Sequence, residues 1–434
     1  MGRILIKGAT VITVESQDDI INDGEIAIEG QHIVSVGPAG SAPEDFGPDK
    51  VLDAAGMLAM PGFVNSHTHA AMTLLRSYAD DLPLMKWLEE KIWPLEAKLE
   101  DEDIYWGTML CCLEMIRSGT TTFADMYFSM NQVAQAVDRA GMRADLSRGM
   151  IGVGPEAQAA LDFYPDFVAQ WHGQANGRIN VRLGPHAPYT CPPDYLKKVI
   201  SLAGELNVGI HIHLAETKTE IEDMANKYGM TPIGLMDSLG LFELPVLAAH
   251  CVHLDDGDIE ILARKKVGVA HNPESNMKLA SGVAPVTRML EAGVTVGLGT
   301  DGAASNNNLD MLEETRSAAL LQKVNTMNPL ALPSFQALRM ATAGGAGALG
   351  IADRVGVIRK GLKADIILMD TRKPHFFPRH DWIANVVYAA QSSDVNTVII
   401  DGSIIMEDRK VLTIDENEVY GQIGARAKRL TGKK

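Results

Sequence analysis

The sequence predicts an α/β protein built on a (β/α)8 TIM barrel, with a small β-sandwich domain formed by the two ends of the chain. Two observations predict the barrel: eight short apolar strand candidates lie between residues 62 and 300, and helical patterns fill most of the gaps between them. A third observation predicts the added domain, because the segments near both ends are rich in β-branched residues and turn signals.

The eight strand candidates are mostly unbroken apolar runs, as expected of parallel strands that are buried on both faces. They are residues 62–66, 120–124, 144–148, 180–184, 209–214, 246–250, 267–271 and 295–300. Eight such units over roughly 290 residues match the length of a (β/α)8 barrel. An open doubly wound sheet is the alternative, but no glycine-rich phosphate loop follows the first strand, which weakens it.

Each end of the chain contains a predicted hairpin. In the first, residues 25–28 and 32–36 flank a turn at Glu29-Gly30, and in the second, residues 397–400 and 403–406 flank a turn at Asp401-Gly402. We therefore expect residues 1–58 and 355–434 to form one composite β-sandwich domain. Residues 59–354 then form the catalytic barrel.

Composition and charge exclude several classes of function. The 434 residues are 46% hydrophobic and 22% charged, with a net charge of -16, which argues against a nucleic-acid partner because phosphate binding needs clustered Lys and Arg. No apolar run reaches about 18 residues, so we expect no membrane span. The four cysteines form no CxxC pair and the start of the chain shows no signal peptide, so we expect a cytoplasmic protein.

Histidines and carboxylates recur at the carboxyl ends of the strand candidates. They are His67 and His69 after strand 1, His186 after strand 4, His213 and Glu216 at strand 5, His250 at strand 6 and Asp301 after strand 8. In an extended chain residues i and i+2 point to the same side, so the first pair can reach one ion. All of these ends open on one face of a barrel, where catalytic residues collect. His211 shares the face of His213 but is expected to be structural, and we expect His253 and His271 to be structural or to support the ligands from behind.

His67, His69, His213 and Asp301 suit one divalent metal ion, for which zinc is preferred and iron or manganese are the alternatives. Such an ion lowers the pKa of bound water from about 15.7 toward roughly 7 and creates a hydroxide nucleophile. Asp301 can also take the water proton, Glu216 can carry a proton to a substrate nitrogen, and His250 can polarise the developing oxyanion. The strand-4 candidate contains no Lys that could bridge two ions, which favours a single metal.

Four motifs resemble the aminohydrolase branch of the amidohydrolase superfamily, and the resemblance covers essentially the whole chain. They are Pro61-Gly-Phe-Val-Asn-Ser-His-Thr-His69, His211-Ile-His-Leu-Ala-Glu-Thr217, Ala249-His-Cys-Val-His253 and Gly299-Thr-Asp-Gly302. They are highly specific for the superfamily and less so for the substrate.

Within that branch the chain is most similar to the 5'-methylthioadenosine/S-adenosylhomocysteine deaminases. The similarity rests on the segment from Asp81 to Glu96, an excursion after strand 1 that we expect above the barrel mouth. The resemblance implies that Glu96 binds the ribose hydroxyls and that Arg148 and His186 also bind the nucleoside. It further implies that Glu216 contacts the adenine ring and that Asp301 contacts both metal and substrate. Trp87 can cover an adenine or a thioether.

The implied reaction is hydrolytic deamination at adenine C6 of 5'-methylthioadenosine, S-adenosylhomocysteine or adenosine, giving the inosyl product and ammonia. The implied partners are a small-molecule nucleoside and further copies of the chain in a dimer or tetramer. The nearest alternative is an aminohydrolase or chlorohydrolase of the same branch that acts on guanine, a triazine or another N-heterocycle, because a fold does not fix its substrate. A non-catalytic barrel scaffold is a remote alternative, since the full ligand set is present.

Overall fold

The structure is a computed structural model that describes residues 2–432. Its strands are β1 (Arg3–Ile12), β2 (Ile20–Glu29), β3 (His32–Pro38), β4 (Lys50–Asp53), β5 (Met57–Pro61), β6 (Phe63–Thr68), β7 (Thr120–Tyr127), β8 (Arg143–Met150), β9 (Ile179–Pro185), β10 (Gly209–Leu214), β11 (Val246–His250), β12 (Gly268–His271), β13 (Thr295–Leu298), β14 (Ile366–Asp370), β15 (Val395–Ile400), β16 (Ser403–Glu407) and β17 (Lys410–Val411).

Strands β6 to β13 form a parallel sheet in which each strand pairs with the next along the chain. Asn65 joins the first strand to the segment after the last: its amide donates to Thr300 Oγ1 at 2.7 Å, and its Oδ1 accepts from the Thr300 backbone N–H at 3.1 Å. The backbone N–H of Asp301 also donates to the His67 carbonyl at 3.0 Å. These bonds close the sheet, and the predicted (β/α)8 fold is confirmed.

The first barrel strand is longer than predicted. β6 continues to Thr68, which lies opposite Asp125 of β7 after an irregularity in the register. His67 therefore lies inside the strand, and only His69 follows it. The extra length carries both imidazoles to the rim where the neighbouring strand also ends.

The helices between and around the strands are α1 (Leu84–Trp87), α2 (Trp93–Glu96), α3 (Asp101–Ser118), α4 (Met130–Ala140), α5 (Glu156–Trp171), α6 (Gln174–Gly177), α7 (Pro193–Leu206), α8 (Lys218–Tyr228), α9 (Pro232–Ser238), α10 (Asp256–Arg264), α11 (Pro273–Lys278), α12 (Val286–Glu291), α13 (Ala303–Asn306), α14 (Met311–Thr326), α15 (Ser334–Arg339), α16 (Gly345–Ala348), α17 (Trp382–Tyr388) and α18 (Glu416–Thr431). Short 3-10 helices cover Ala70–Leu75, Leu241–Glu243, Pro374–Phe376 and Ser392–Asp394, and π-helical turns cover Leu88–Ile92 and Met340–Gly344. Within residues 2–432 we find no helix that is both long and apolar enough to cross a bilayer.

Local sequence signals set several helix ends. Asp255 caps α10, because its Oδ1 accepts from the backbone N–H of Asp258 at 2.8 Å while the Asp258 carboxylate accepts from the Asp255 N–H. Gly119 ends α3 with a φ of 90°, a left-handed conformation that costs glycine little. The chain then turns directly into β7.

The two ends of the chain form one nine-stranded sheet. Its order is β17-β16-β15-β14-β5-β1-β2-β3, with β4 paired to β1 beside this path. Strand β5 joins the two ends, because it pairs in parallel with β1 and antiparallel with β14. Both predicted hairpins are present, as β2–β3 and β15–β16. The boundaries at residues 58/59 and 354/355 stay predictions.

Alternate residues of β14 show how this sheet is attached to the barrel. Ile366 and Leu368 belong to the apolar core of the terminal sheet, whereas Ile367 and Met369 belong to the large core that contains the barrel. Successive side chains of a strand point to opposite faces, so one face closes the small domain and the other packs on the barrel. The terminal sheet therefore packs on the barrel through the face of β14 that carries Ile367 and Met369.

A buried ion pair crosses the same boundary. Arg143 at the start of β8 donates to both oxygens of Asp365, at 2.9 and 3.1 Å, and to Asp401 Oδ1 at 3.2 Å. The Arg143 side chain is 1% exposed, so the charges depend on one another for stabilisation. This contact joins the third barrel strand to the terminal sheet.

Candidate active site

Three histidines converge at the carboxyl end of the barrel. His67 and His69 come from the end of β6, and His213 from β10; one nitrogen of each lies within 4.8 Å of the others. Nδ1 of His69 donates to the Met126 carbonyl at 2.6 Å, and Nδ1 of His213 donates to the His186 carbonyl at 2.8 Å. A carbonyl oxygen only accepts, so in both rings Nδ1 carries a proton, and Nε2 is the nitrogen that faces the metal position.

Asp301 completes this group from the loop after β13. Its Oδ1 lies 3.4 Å from His67 Nε2 and 3.3 Å from His69 Nε2, while Oδ2 accepts from Ser275 at 2.7 Å and Ser305 at 2.9 Å. Burial raises the pKa of this carboxyl, but the imidazoles of His67 and His69 outweigh burial and hold the pKa well below its ordinary value. Asp301 is therefore ionised, with one oxygen fixed by hydroxyls and the other directed at the histidines.

These four side chains fit a divalent metal ion. Three imidazole nitrogens and one carboxylate oxygen are a donor set of catalytic zinc and iron sites, which keep a position open for water. Nε2 of His67 is buried and has no hydrogen-bond partner, which is unfavourable unless the lone pair serves an ion. His250 also lies beside this position. One of its ring nitrogens lies within 4.8 Å of a ring nitrogen of His67 and of a carboxylate oxygen of Asp301. The site is suited to hold a divalent metal ion.

Glu216 and His250 face one another at the edge of the metal position. Oε2 of Glu216 lies 3.9 Å from His250 Nε2, and Oε1 accepts from Ser281 at 3.4 Å. Burial raises the pKa of the Glu216 carboxyl, and the His250 charge only partly opposes the rise. His250 is held from behind, since Nδ1 lies 2.9 Å from Asn276 Oδ1. Nε2 of His250 and the Glu216 carboxyl are thus both presented to the cavity.

A cavity opens over these groups. It is lined by His69, Met72, Leu84, Trp87, Leu88, Trp93, Glu96, Met126, Tyr127, Phe128, Gly149, Ile151, His186, Tyr189, His213, Glu216, His250, Leu279, Asp301 and Ser305. Apolar and aromatic side chains dominate this wall, with carboxylates and imidazoles at a few points, as is usual for small-molecule sites.

The excursion after β6 supplies one side of the cavity, as the sequence predicts. Trp87 is 5% exposed, and its Nε1 donates to the Ala79 carbonyl at 3.0 Å, which fixes the indole in the wall. Glu96 accepts a 2.6 Å hydrogen bond from the Tyr127 hydroxyl. Burial raises the pKa of Glu96, while Tyr127 and the charge of His69 favour the ionised form.

The other two predicted substrate-binding residues differ in position. His186 lines the cavity, with Nδ1 3.0 Å from Thr190 Oγ1. Arg148 does not line it: its guanidinium donates to the Ala159 carbonyl at 3.1 Å and lies 4.8 Å from the centre of the Phe163 ring. Because successive strand residues alternate, Ser147 points inward and Arg148 points toward α5. The role of Arg148 in nucleoside binding stays a prediction.

Sequence reasoning missed residues that hold the site from behind. Glu220 accepts from the backbone N–H groups of Ala215 and Glu216, at 2.8 and 2.9 Å, and so fixes the turn that carries the Glu216 carboxyl. A signal was present, because Thr217 and Glu220 have the spacing of a helix-capping motif, and Thr217 Oγ1 accepts from the Glu220 N–H at 3.2 Å. Tyr127, Ser275 and Asn276 carry no comparable pattern.

The comparisons with known proteins agree with this geometry. The model of the amidohydrolase family matches residues 58–405. A 5-methylthioadenosine/S-adenosylhomocysteine deaminase from Pelotomaculum thermopropionicum is 66% identical over 433 residues, covering 100% of both chains. A crystal structure of an adenosine deaminase from Xanthomonas campestris with bound zinc is 35% identical, with a TM-score of 0.94 over 99% of both chains.

A more distant solved structure is the atrazine chlorohydrolase of Arthrobacter aurescens complexed with zinc. It is 26% identical and has a TM-score of 0.90 over 98% of this chain and 100% of the other. Family model and relatives both extend through the barrel and into the terminal sheet. The chain belongs to the amidohydrolase family.

Proposed function

We propose that this enzyme hydrolyses the 6-amino group of the adenine ring in 5'-methylthioadenosine and S-adenosylhomocysteine, and that adenosine is a further substrate. The observation that carries the proposal is that Glu96, a carboxylate held by Tyr127, shares one cavity with Glu216, His250 and Asp301. A carboxylate accepts two hydrogen bonds from a vicinal diol, as it does when it binds ribose in other proteins. The similarity to named deaminases of these nucleosides supports the same substrates.

In this proposal, His67, His69, His213 and Asp301 hold one divalent ion, with zinc preferred and iron or manganese as alternatives. Both solved relatives described above contain zinc, which supports that choice. When bound, the ion supplies the Lewis acidity that activates a water molecule near neutral pH. No Lys that could bridge a second ion is among the residues that line the described cavity, which supports a single ion.

The protein groups then move the protons. Asp301 is ionised and can accept the proton of the attacking water. Glu216, whose pKa is raised by burial, can hold a proton and deliver it to a ring nitrogen of adenine. When Nε2 of His250 carries a proton, it can donate a hydrogen bond to the oxygen that adds at C6. The amino group then takes the proton held by Asp301 and leaves as ammonia, and the proton of the added hydroxyl returns to Glu216, which gives the inosyl product.

The rest of the cavity orients the nucleoside. Glu96 binds the ribose hydroxyls, His186 lines the same cavity and also binds the nucleoside, and the indole of Trp87 covers the base or the thioether. The exposed side chains of Phe128 and Ile151, at 41% and 39%, make the nearby surface apolar, which suits a thioether at the 5' position. A cytoplasmic location and a homodimer or homotetramer are further parts of this proposal.

A substrate screen tests the proposal. Purified enzyme is loaded with zinc and offered 5'-methylthioadenosine, S-adenosylhomocysteine, adenosine, guanine and a triazine, while ultraviolet absorbance and released ammonia are followed. We expect turnover of the adenine nucleosides. Turnover of guanine alone or of the triazine alone would reject the proposal in favour of a different reaction of the same family. The variant Glu96→Ala separates these outcomes, because it should impair only the turnover of substrates that carry a ribose.

A further inference from the structure

His211 lies behind the metal ligand His67, inside the barrel. Nε2 of His211 is 2.8 Å from Nδ1 of His67, and Nδ1 of His211 is 3.1 Å from Oγ of Ser147. The Ser147 hydroxyl in turn lies 2.7 Å from the backbone carbonyl of Asp125. The side chains of His67, His211 and Ser147 are all 0% exposed. These groups form an unbroken line of hydrogen bonds from the rim of the barrel to a strand carbonyl.

The carbonyl at the end of this line determines where each proton lies. The carbonyl of Asp125 can only accept, so Ser147 gives it its single proton. Ser147 must then accept from His211, which places the His211 proton on Nδ1 and leaves a lone pair on Nε2. That lone pair accepts the proton on Nδ1 of His67, so Nε2 of His67 is left as a lone pair directed at the metal position.

We propose that His211 is a positioning residue that holds His67 in the tautomer able to bind the metal, and that Ser147 fixes the tautomer of His211. The inference rests on the proposed metal site and adds a role for a residue that the sequence predicts to be structural. His69 and His213 use backbone carbonyls, which need no further control. The partner of His67 is the imidazole of His211, which can present either a proton or a lone pair. The hydroxyl of Ser147 is therefore needed to fix the tautomer of His211.

The two ring nitrogens of His211 also exclude a direct ligand role. Nε2 is used by His67 and Nδ1 by Ser147, so His211 has no nitrogen left for an ion. If His211 acted only by filling space, any side chain of similar size would serve. The proposal instead requires a hydrogen-bond acceptor at the position of His211 Nε2, so variants that keep or lose this acceptor should differ in metal affinity.

Two amide variants separate the two nitrogens. The amide end of His211→Gln lies near the position of Nε2 and can accept from His67, whereas that of His211→Asn lies near Nδ1 and reaches only Ser147. Zinc affinity is measured by competition with a chromogenic chelator, without any substrate, and folding is checked by circular dichroism. We expect His211→Asn to weaken zinc binding by roughly 10- to 100-fold, as loss of a partner to a metal-bound imidazole does, and His211→Gln to stay close to the unchanged enzyme.

The proposal is overturned if His211→Asn binds zinc as tightly as the unchanged enzyme, or if both variants lose affinity equally. If His211→Asn does not fold, Ser147→Ala replaces it, because it removes a single hydroxyl; weaker zinc binding is expected and unchanged binding overturns the proposal. A nitrogen NMR spectrum of the zinc-loaded unchanged enzyme should show the His211 proton on Nδ1, and a proton on Nε2 would also overturn it. Failure of the unchanged enzyme to bind any ion would instead reject the metal site itself.

Discussion

The hydroxyl of Tyr127 donates a 2.6 Å hydrogen bond to Oε1 of Glu96. Tyr127 is the last residue of β7, whereas Glu96 ends α2 in the segment that covers the barrel mouth. One bond therefore fixes a carboxylate of the covering segment to the rigid barrel. Since Glu96 is proposed to bind ribose, Tyr127 sets the position at which the sugar is recognised.

Tyr127→Phe should weaken ribose recognition while it leaves the chemical step largely intact. A hydrogen bond to a charged group contributes about 1.5–3 kcal/mol, so we expect KM for 5'-methylthioadenosine to rise by roughly 10-fold or more. Steady-state kinetics on the purified variant measure KM and kcat separately. The control is Tyr388→Phe, which removes a hydroxyl from a tyrosine on α17 that is 37% exposed and does not line the cavity. An unchanged KM in Tyr127→Phe would contradict the inference that Tyr127 positions Glu96 for ribose.

Asp301→Asn should abolish most of the activity. The substitution removes the proton acceptor, and loss of such a group typically costs about 10²- to 10⁴-fold in rate. Single-turnover kinetics with zinc in excess measure the effect, and metal analysis shows whether the ion is retained. Asp310→Asn is the matched control, because Asp310 caps α14 and an asparagine caps almost as well. Normal turnover by Asp301→Asn would reject the mechanism.

Much of the fold can be predicted from the sequence, because buried strands produce short apolar runs whose length and period can be read from it. The runs at 209–214 and 246–250 coincide with β10 and β11. Leu247 and Ala249 alternate with Val246 and Ala248 in β11, whereas β10 alternates its buried isoleucines with two buried histidines. The end of β6 could not be predicted, because its last residues are polar and pair through an irregular register. Strand ends therefore depend on the partner strand, which no local pattern describes.

The candidate site is predicted less completely than the fold. Residues that reach the site from strand ends follow the barrel geometry: the structure brings His67, His69 and His213 together and places Asp301 beside His67. Arg148 does not join them, because the alternation of β8 directs its side chain toward α5. The partners behind the ligands, such as Ser275, are held by tertiary contacts alone, so their spacing in the sequence carries no signal.

The rate of deamination should fall on the alkaline side as Glu216 loses its proton. Burial raises the pKa of Glu216 above that of an exposed glutamate, so the acid form persists to a higher pH and kcat decreases as the pH rises through the raised pKa. A pH profile of kcat measures this limb. In Glu216→Gln the residual rate should no longer show it, because no proton is titrated at that position. An unchanged alkaline limb in Glu216→Gln would assign the titration to another group.

Arg143→Met should destabilise the whole protein without reaching the cavity. The substitution leaves the buried carboxylate of Asp365 without its cation and leaves Asp401 with Lys363 alone, 3.7 Å away. Breaking a buried pair costs about 3–5 kcal/mol, so thermal unfolding at a fixed scan rate should show a clearly lower midpoint. Lys50→Met is the control, because Lys50 and Glu407 are 44% and 29% exposed and such a pair contributes at most about 1 kcal/mol. Adding Asp365→Asn to Arg143→Met should recover part of the loss, since it removes one unpaired charge. Equal midpoints for the Arg143 and Lys50 variants would mean that the buried pair does not hold the terminal sheet to the barrel.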